Sequence, residues 1–251
     1  MENHRYGDVL GNEHAPFEAR FAAACATATD YHDVGSPSLP NYIAATSGDV
    51  QGIHDDAGPA AHPLTVDNLF RQVRASGRDA RSYEEAMPKP CALEPSGRYA
   101  VKHNPAAYYT GGDDRAACAR DDLPLGTVES GPFADALRDG TLPAFAFITP
   151  DLCNDTHDCP VSAGDAFVEQ WVSLIVSSPV YRAGRTAVFV VWDEDTPMPN
   201  LFVAPSVRPG TRVTGPTDHY GLLRTTEELL GIPGFLGAAA QATSLRADLH
   251  L

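Results

Sequence analysis

No apolar run in the 251-residue chain approaches the roughly 20 residues needed to cross a bilayer, so no helical membrane span is expected. Nor is there any cluster of Lys and Arg, and 18 basic against 33 acidic side chains leave a formal net charge of −15. A nucleic-acid binder needs a basic face to neutralise phosphates, so that class is excluded. The same acidity would repel an anionic substrate unless a bound cation reversed the sign locally. Cysteine never occurs as CxxC, which argues against a cysteine zinc site. Repeats and low-complexity blocks are missing, and 21 Gly and 21 Pro are spread over the whole length, so short elements joined by many loops are expected. The opening Met1-Glu2-Asn3-His4-Arg5 has no apolar core of a signal peptide.

What is present suits a packed globular protein. Hydrophobic residues make up 43% of the chain, and its length fits one domain over residues 1–251. Five cysteines include two pairs that bracket short polar segments, Cys91 with Cys118 and Cys153 with Cys159, and both are expected as disulfides. Cys25, in an Ala-rich stretch, is expected to be a buried free thiol.

Periodicity predicts helices over 65–75 with Thr65 as N-cap, over 133–137, over 166–177 and over 219–230. Strands are expected at 144–149 and 186–192, and the second, β-branched and uninterrupted, reads as a strand covered on both faces of a parallel sheet. With the helix between them they make a strand-helix-strand unit, and 200–213 adds a hairpin or strand pair. The fold class is therefore α/β, a three-layer sandwich with a mostly parallel central sheet. Sites in such folds lie beyond the carboxyl ends of strands, which directs attention to residues after Thr149 and after Trp192.

Asp193-Glu194-Asp195 places three carboxylates directly after the second strand, tolerable at a buried edge chiefly around a cation. The other strand opens into Asp151 to Cys159, a loop with Asn154, Asp155, His157 and Asp158 that could fix a general acid or an anion contact. Ser38-Leu39-Pro40-Asn41 reads as a loop entering a short helix. A serine there has backbone N–H groups and the positive dipole end beside it, which suits a nucleophile acting on an anionic ester, although an ordinary N-cap is its commoner role.

Six blocks in order then resemble the bacterial and fungal phosphoesterases that include acid phosphatases and phospholipase C enzymes, a branch of the alkaline phosphatase superfamily. They are Glu2-Asn3-His4, Ser38-Leu39-Pro40-Asn41-Tyr42, Lys102-His103-Asn104-Pro105, Phe147 through Cys153-Asn154-Asp155 to Cys159, Trp192-Asp193-Glu194-Asp195, and His219 through Arg224-Thr225 to Glu227. The resemblance implies an alkaline phosphatase-like fold and hydrolysis of a phosphoric ester through a phosphoserine at Ser38. It implies one divalent metal (Ca, Mg, Mn, Zn or Fe) held by Glu2, Asn3, Asp193 and Glu194, with Asp195 as an alternative to Glu194. Asn41, Asp158 and His219 become candidate substrate contacts, while His103 and His157 line the pocket and one of them protonates the leaving group. The substrate would be a small phosphoester or a phospholipid headgroup, and the setting secreted or cell-surface. In that family an apolar strand precedes the Glu-Asn-His motif, which here begins at residue 2. The usual first strand is thus expected to be lacking, with Glu2 and Asn3 on a frayed terminus. Two alternatives are a non-catalytic metal- or ligand-binding relative, and phosphoryl or sulfuryl transfer on the same scaffold.

Overall fold

The computed structural model describes residues 1–251. Helices α1 (Tyr6–Leu10) and α2 (Pro16–Ala24) lead to β1 (Ala26–Ala28) and β2 (Tyr31–His32), followed by α3 (Ser38–Ser47), α4 (Leu69–Ala75) and β3 (Ala80–Glu84). Then come α5 (Asp114–Asp121), β4 (Asp122–Pro124), α6 (Pro132–Asp139), β5 (Phe145–Thr149), α7 (Val161–Ser177), α8 (Pro179–Arg182) and β6 (Val188–Val190). The chain closes with β7 (Leu201–Val203), β8 (Thr211–Val213), β9 (Thr217–Asp218), α9 (His219–Leu229) and α10 (Arg246–Leu249). No helix is long and apolar enough to cross a membrane.

Alternation along β5 shows the layering. Phe145 and Phe147 pack on the cluster that holds Leu39 and Ile43 of α3, Leu69 and Phe70 of α4, and Leu223 of α9. Ala146 and Ile148 pack on the cluster of Tyr83, Phe133, Leu137, Trp171 and Ile175, supplied largely by α6 and α7. Successive side chains of a strand point to opposite faces, so helices cover both sides, and the chain is an α/β sandwich.

The central sheet is not continuous. β4-β3-β5 is all parallel, β6-β7-β1-β8 is mixed, and β2 pairs with β9 in parallel. This corrects the reading of 186–192 as a central parallel strand: β6 spans three half-buried residues, runs antiparallel to β7 and lies at a sheet edge. An unbroken apolar run suits a strand with cover on both faces, and such cover also exists at an edge that lines an apolar cavity. β5, α7 and β6 do follow one another, but the two strands belong to different sheets. Within 200–213, β7 and β8 do not pair with each other, because β1 lies between them. Helix α4 starts later than the pattern predicts, since Asn68 and not Thr65 caps it, accepting from Arg71 N at 2.9 Å.

Both expected disulfides, Cys91–Cys118 and Cys153–Cys159, are formed. Cys25 is free but half-buried.

The frayed terminus expected for Glu2 and Asn3 is not found. The Met1 ammonium donates to Val191 O at 2.9 Å, Asp193 N donates to Met1 O at 3.1 Å, and Glu2 N donates to Asp155 O at 2.8 Å. These bonds lay residue 1 beside the segment after β6 as one rung of a parallel ladder. Thr156 Oγ1 adds a bond to Glu2 O at 2.9 Å. Gly164 of α7 permits the close approach, because a Cβ there would lie 2.4 Å from Thr156 Cγ2 and 2.8 Å from Met1 Cε.

Candidate active site

Ser38 is the first residue of α3, and its sequence explains the helix. Pro40 fits the first turn, and Gly48 ends the helix in the left-handed region at φ 77°, where a Cβ would meet Leu236 O at 2.2 Å. Leu39 N donates to Asp56 Oδ1 at 3.0 Å, so another side chain occupies the cap and Ser38 is released from that role. Its hydroxyl instead donates to Glu2 Oε2 at 3.0 Å, in a spot where Ser38 is 1% exposed. Tyr42, one turn further on the same helix face, donates to Glu2 Oε1.

Glu2 is fully buried and ionised. Burial alone would raise its carboxyl pKa, but the charge of His103, a contact with His103, the Met1 ammonium and the Tyr42 hydroxyl together hold it at about 2. His103 Nε2 lies 3.2 Å from Glu2 Oε2 and its Nδ1 lies 3.3 Å from Asp155 Oδ2, ion-pair distances off the line of a hydrogen bond. Burial works against the imidazolium, yet the two flanking carboxylates raise it to about 10. His103 is therefore a fixed cation at neutral pH. Its ring stacks on Tyr42 with centroids 5.1 Å apart, and its backbone oxygen accepts from Thr149 Oγ1 at 3.1 Å, tying it to the end of β5.

Asp193 follows β6 and is 5% exposed. Its Oδ1 accepts from Asn3 N at 3.4 Å, while Oδ2 is buried with no partner. Burial first, and then the charge of Glu2, push its pKa well above the carboxylate range. Burial and Glu2 raise Glu194 as well. With its amide turned so that nitrogen faces the carboxylates, Asn3 lies 3.1 Å from Glu2 Oε2 and 3.3 Å from Glu194 Oε1; turned the other way, three oxygens converge. A cation fits this set: the donors are hard oxygens, and a bound positive charge would relieve the orphaned Asp193 Oδ2 and the raised carboxyls of Asp193 and Glu194. Asp195 is exposed, its N–H donating to Asp33 Oδ2 at 3.1 Å. His219 holds the backbone of Asp193, its Nε2 donating to Asp193 O at 2.6 Å, and burial keeps the ring neutral.

The remaining predicted residues divide. Asn41 accepts from Val34 N at 2.9 Å and Gly35 N at 3.1 Å and donates to Gly35 O at 2.8 Å, so it staples the loop in front of Ser38. His157 is exposed, 6.1 Å ring to ring from His103, with Nδ1 2.7 Å from Asp158 Oδ1. Asp158 is exposed and pairs with His157. Sequence reasoning assigned no role to Asp155 or Tyr42, though both touch the Glu2–His103 pair, nor to Lys102, which reaches Asp56 Oδ2 at 2.9 Å beside the cap of α3. Tyr42 could have been found from its place four residues after Ser38 on one helix face. Asp155 could not, because its partner is 52 positions away, counted from 103 to 155.

Comparison with known proteins places the chain in a family. The chain is 27% identical to the phosphatidylinositol-3-phosphatase of Mycobacterium tuberculosis, covering 98% of this chain and 81% of that one. It is 28% identical to an acid phosphatase of Aspergillus fumigatus over 78% of this chain, and spans 43% of that longer protein. The crystal structure of Ps i-CgsB superposes with a TM-score of 0.63 at 14% identity, over 99% of this chain and 74% of that one, which supports the fold alone. Residues 8–198 match the Phosphoesterase family model. The chain belongs to the Phosphoesterase family and is a hydrolase of phosphoric ester bonds.

Proposed function

We propose that this chain hydrolyses small phosphomonoesters through a phosphoserine at Ser38, with one divalent cation bound by Glu2, Asn3, Asp193 and Glu194. We infer further that residues 1–251 work as one domain with an alkaline phosphatase-like fold. The observation that carries the reading is the buried Ser38 hydroxyl 3.0 Å from Glu2 Oε2. Monoesters are favoured over phospholipase C-type diesters because the similar curated proteins are named as phosphatases. The two disulfides suit an oxidising, secreted or cell-surface setting.

When bound, the cation would lower the pKa of a serine hydroxyl and neutralise phosphoryl charge. The chain's own residues do the rest. Glu2 aligns Ser38 Oγ, and the N–H groups at the start of α3 favour an anion beside it. Ser38 loses its proton to solvent, and its Oγ bonds to phosphorus as the ester P–O bond breaks. His103, pinned as a cation by Glu2 and Asp155, offers a positive charge to the phosphoryl oxygens. His157, exposed and oriented by Asp158, gives the leaving oxygen its proton. Water then cleaves the phosphoserine, His157 takes one of its protons, Ser38 Oγ recovers a proton from solvent, and inorganic phosphate leaves. Stopped by chelation and by Ser38→Ala, and preferring aryl monoesters to phosphocholine-type diesters, the hydrolysis would fit this reading; full turnover by Ser38→Ala would sink it.

A further inference from the structure

Lys102 sits in a short 3-10 turn, Val101–His103, whose Val101 belongs to the apolar cluster of Leu39 and Ile43 of α3, so its ammonium is anchored beside the helix that begins at Ser38. Its Nζ donates to Asp56 Oδ2 at 2.9 Å, and the other oxygen of that carboxylate accepts from Leu39 N at 3.0 Å. One carboxylate therefore spans the ammonium and the backbone amide next to Ser38. An ammonium has three donors and Asp56 is its one protein partner, which leaves two for another ligand. Both side chains keep a path to solvent, with 21% of Lys102 and 28% of Asp56 exposed. Burial works against the Lys102 charge, but the bond to Asp56 and the charges of Asp56, Glu2 and Asp193 hold its pKa above the ordinary lysine value. The ammonium thus lies in the field of the carboxylates around Ser38. His103, the cation at the centre, is already flanked by Glu2 and Asp155.

We propose that Lys102 binds the phosphoryl group of the substrate, and that in the free protein the Asp56 carboxylate holds that group's place on the Lys102 ammonium and the Leu39 N–H until substrate displaces it. This rests on Ser38 as the nucleophile, since the closeness of Leu39 N to Ser38 is what makes the two donors a phosphoryl-binding pair. A carboxylate and a phosphoryl group take the same donors, a helix-terminal N–H and an ammonium. An ester must therefore outcompete an internal anion. A monoester, with a second pKa of about 6, carries close to two negative charges at neutral pH and does so. A diester carries one, no more than Asp56 itself. The pair is thus a specificity device that selects phosphomonoesters. Tyr108 Oη donates to Ala57 O at 3.1 Å and holds the backbone beside Asp56, so the carboxylate leaves by rotation of its own side chain towards solvent.

Lys89 and Lys102 are the chain's two lysines, and Lys89 is exposed, so trace acylation read by mass spectrometry reports on each separately and needs no variant. On the whole protein with divalent metal, inorganic phosphate at about ten times its dissociation constant should slow acylation of Lys102 about tenfold and leave Lys89 unchanged. The monoanion dimethyl phosphate at the same concentration should slow neither. By calorimetry, Lys102→Gln should weaken phosphate binding about 10–100-fold, and Lys102→Arg should recover part of the loss. Asp56→Asn, whose amide oxygen still accepts from Leu39 N, should strengthen binding about 3–10-fold, because the competing anion is gone. A purely structural ion pair would give no such opposite signs. Unprotected Lys102, unchanged phosphate affinity in Lys102→Gln, no gain in Asp56→Asn, or equal protection by dimethyl phosphate would each overturn the proposal. Phosphate protection of Lys102 in protein that never carries a phosphoryl group on Ser38 during turnover would instead sink the serine mechanism and uphold the Lys102 contact.

Discussion

Glu2 is buried as deeply as Glu84 and Asp122, yet it settles its charge in the opposite way. Between Glu2 and Asp155 stands His103, and Glu2 stays ionised with a pKa of about 2. Around Glu84 and Asp122 the partners are neutral, Ser82 Oγ at 2.7 Å from Glu84 and Asn104 Nδ2 at 2.8 Å from Asp122. There burial and the neighbouring carboxyl raise Glu84 well above its ordinary range, and burial raises Asp122 to about 7. A buried carboxyl takes either a counter-cation or a proton. Glu2, with a cation beside it, retains its negative charge next to Ser38, so depth and acidity alone do not mark the site.

The largest expected effect separates the two pairs by activity. Ser38→Ala should lower kcat by about 10³-fold or more, as loss of a nucleophile does, while Asp122→Asn changes it less than about threefold; steady-state hydrolysis of an aryl phosphate reads both. Next, His103→Gln removes the cation between two buried carboxylates and should cost about 3–5 kcal/mol of stability in urea unfolding.

The pH dependence of stability sharpens the contrast. Asp122 is raised from 3.8 to about 7, so the native state holds a proton that the unfolded chain releases. Its stabilisation is full below pH 3.8 and falls as pH rises towards 7, by at most about 4 kcal/mol, and Asp122→Asn should flatten that slope. Glu2 behaves in the reverse sense, whereas His103 runs in the same sense as Asp122 but in a higher pH window. The contribution of Glu2 is present above pH 4.5 and lost as pH falls towards 2, and that of His103 is present below pH 6.5 and lost as pH rises through about 10. The smallest effect is on metal affinity: Asp193→Asn should weaken binding of an activating divalent ion about 10–100-fold by titration calorimetry, with Asp122→Asn unchanged.

Much of this was legible in the sequence. Pro40 and Gly48 bound the helix that begins at Ser38, and the spacing of the cysteines marked both disulfides. The sandwich class followed from apolar strands alternating with amphipathic helices. The break between the sheets did not, because Thr186 to Trp192 has the composition of a covered strand whether its open edge meets another strand or a cavity. Glu2 was misjudged as frayed since its anchors, Asp155 O and the rung at Val191 and Asp193, lie more than 150 residues away in sequence. Local pattern carries no trace of bonds at that separation. Glu194 and Asp195 look alike in sequence for a related reason: only the fold brings Glu194 Oε1 to 3.3 Å from the turned Asn3 amide.

The most direct measurement is mass spectrometry of protein quenched with acid during turnover of an aryl phosphate in the presence of divalent metal. A phosphoryl group on the peptide that holds Ser38, absent from Ser38→Ala and from chelated protein, is the predicted result; sustained turnover with no phosphorylated Ser38 peptide, or a phosphoryl group on another residue that survives Ser38→Ala, would contradict it.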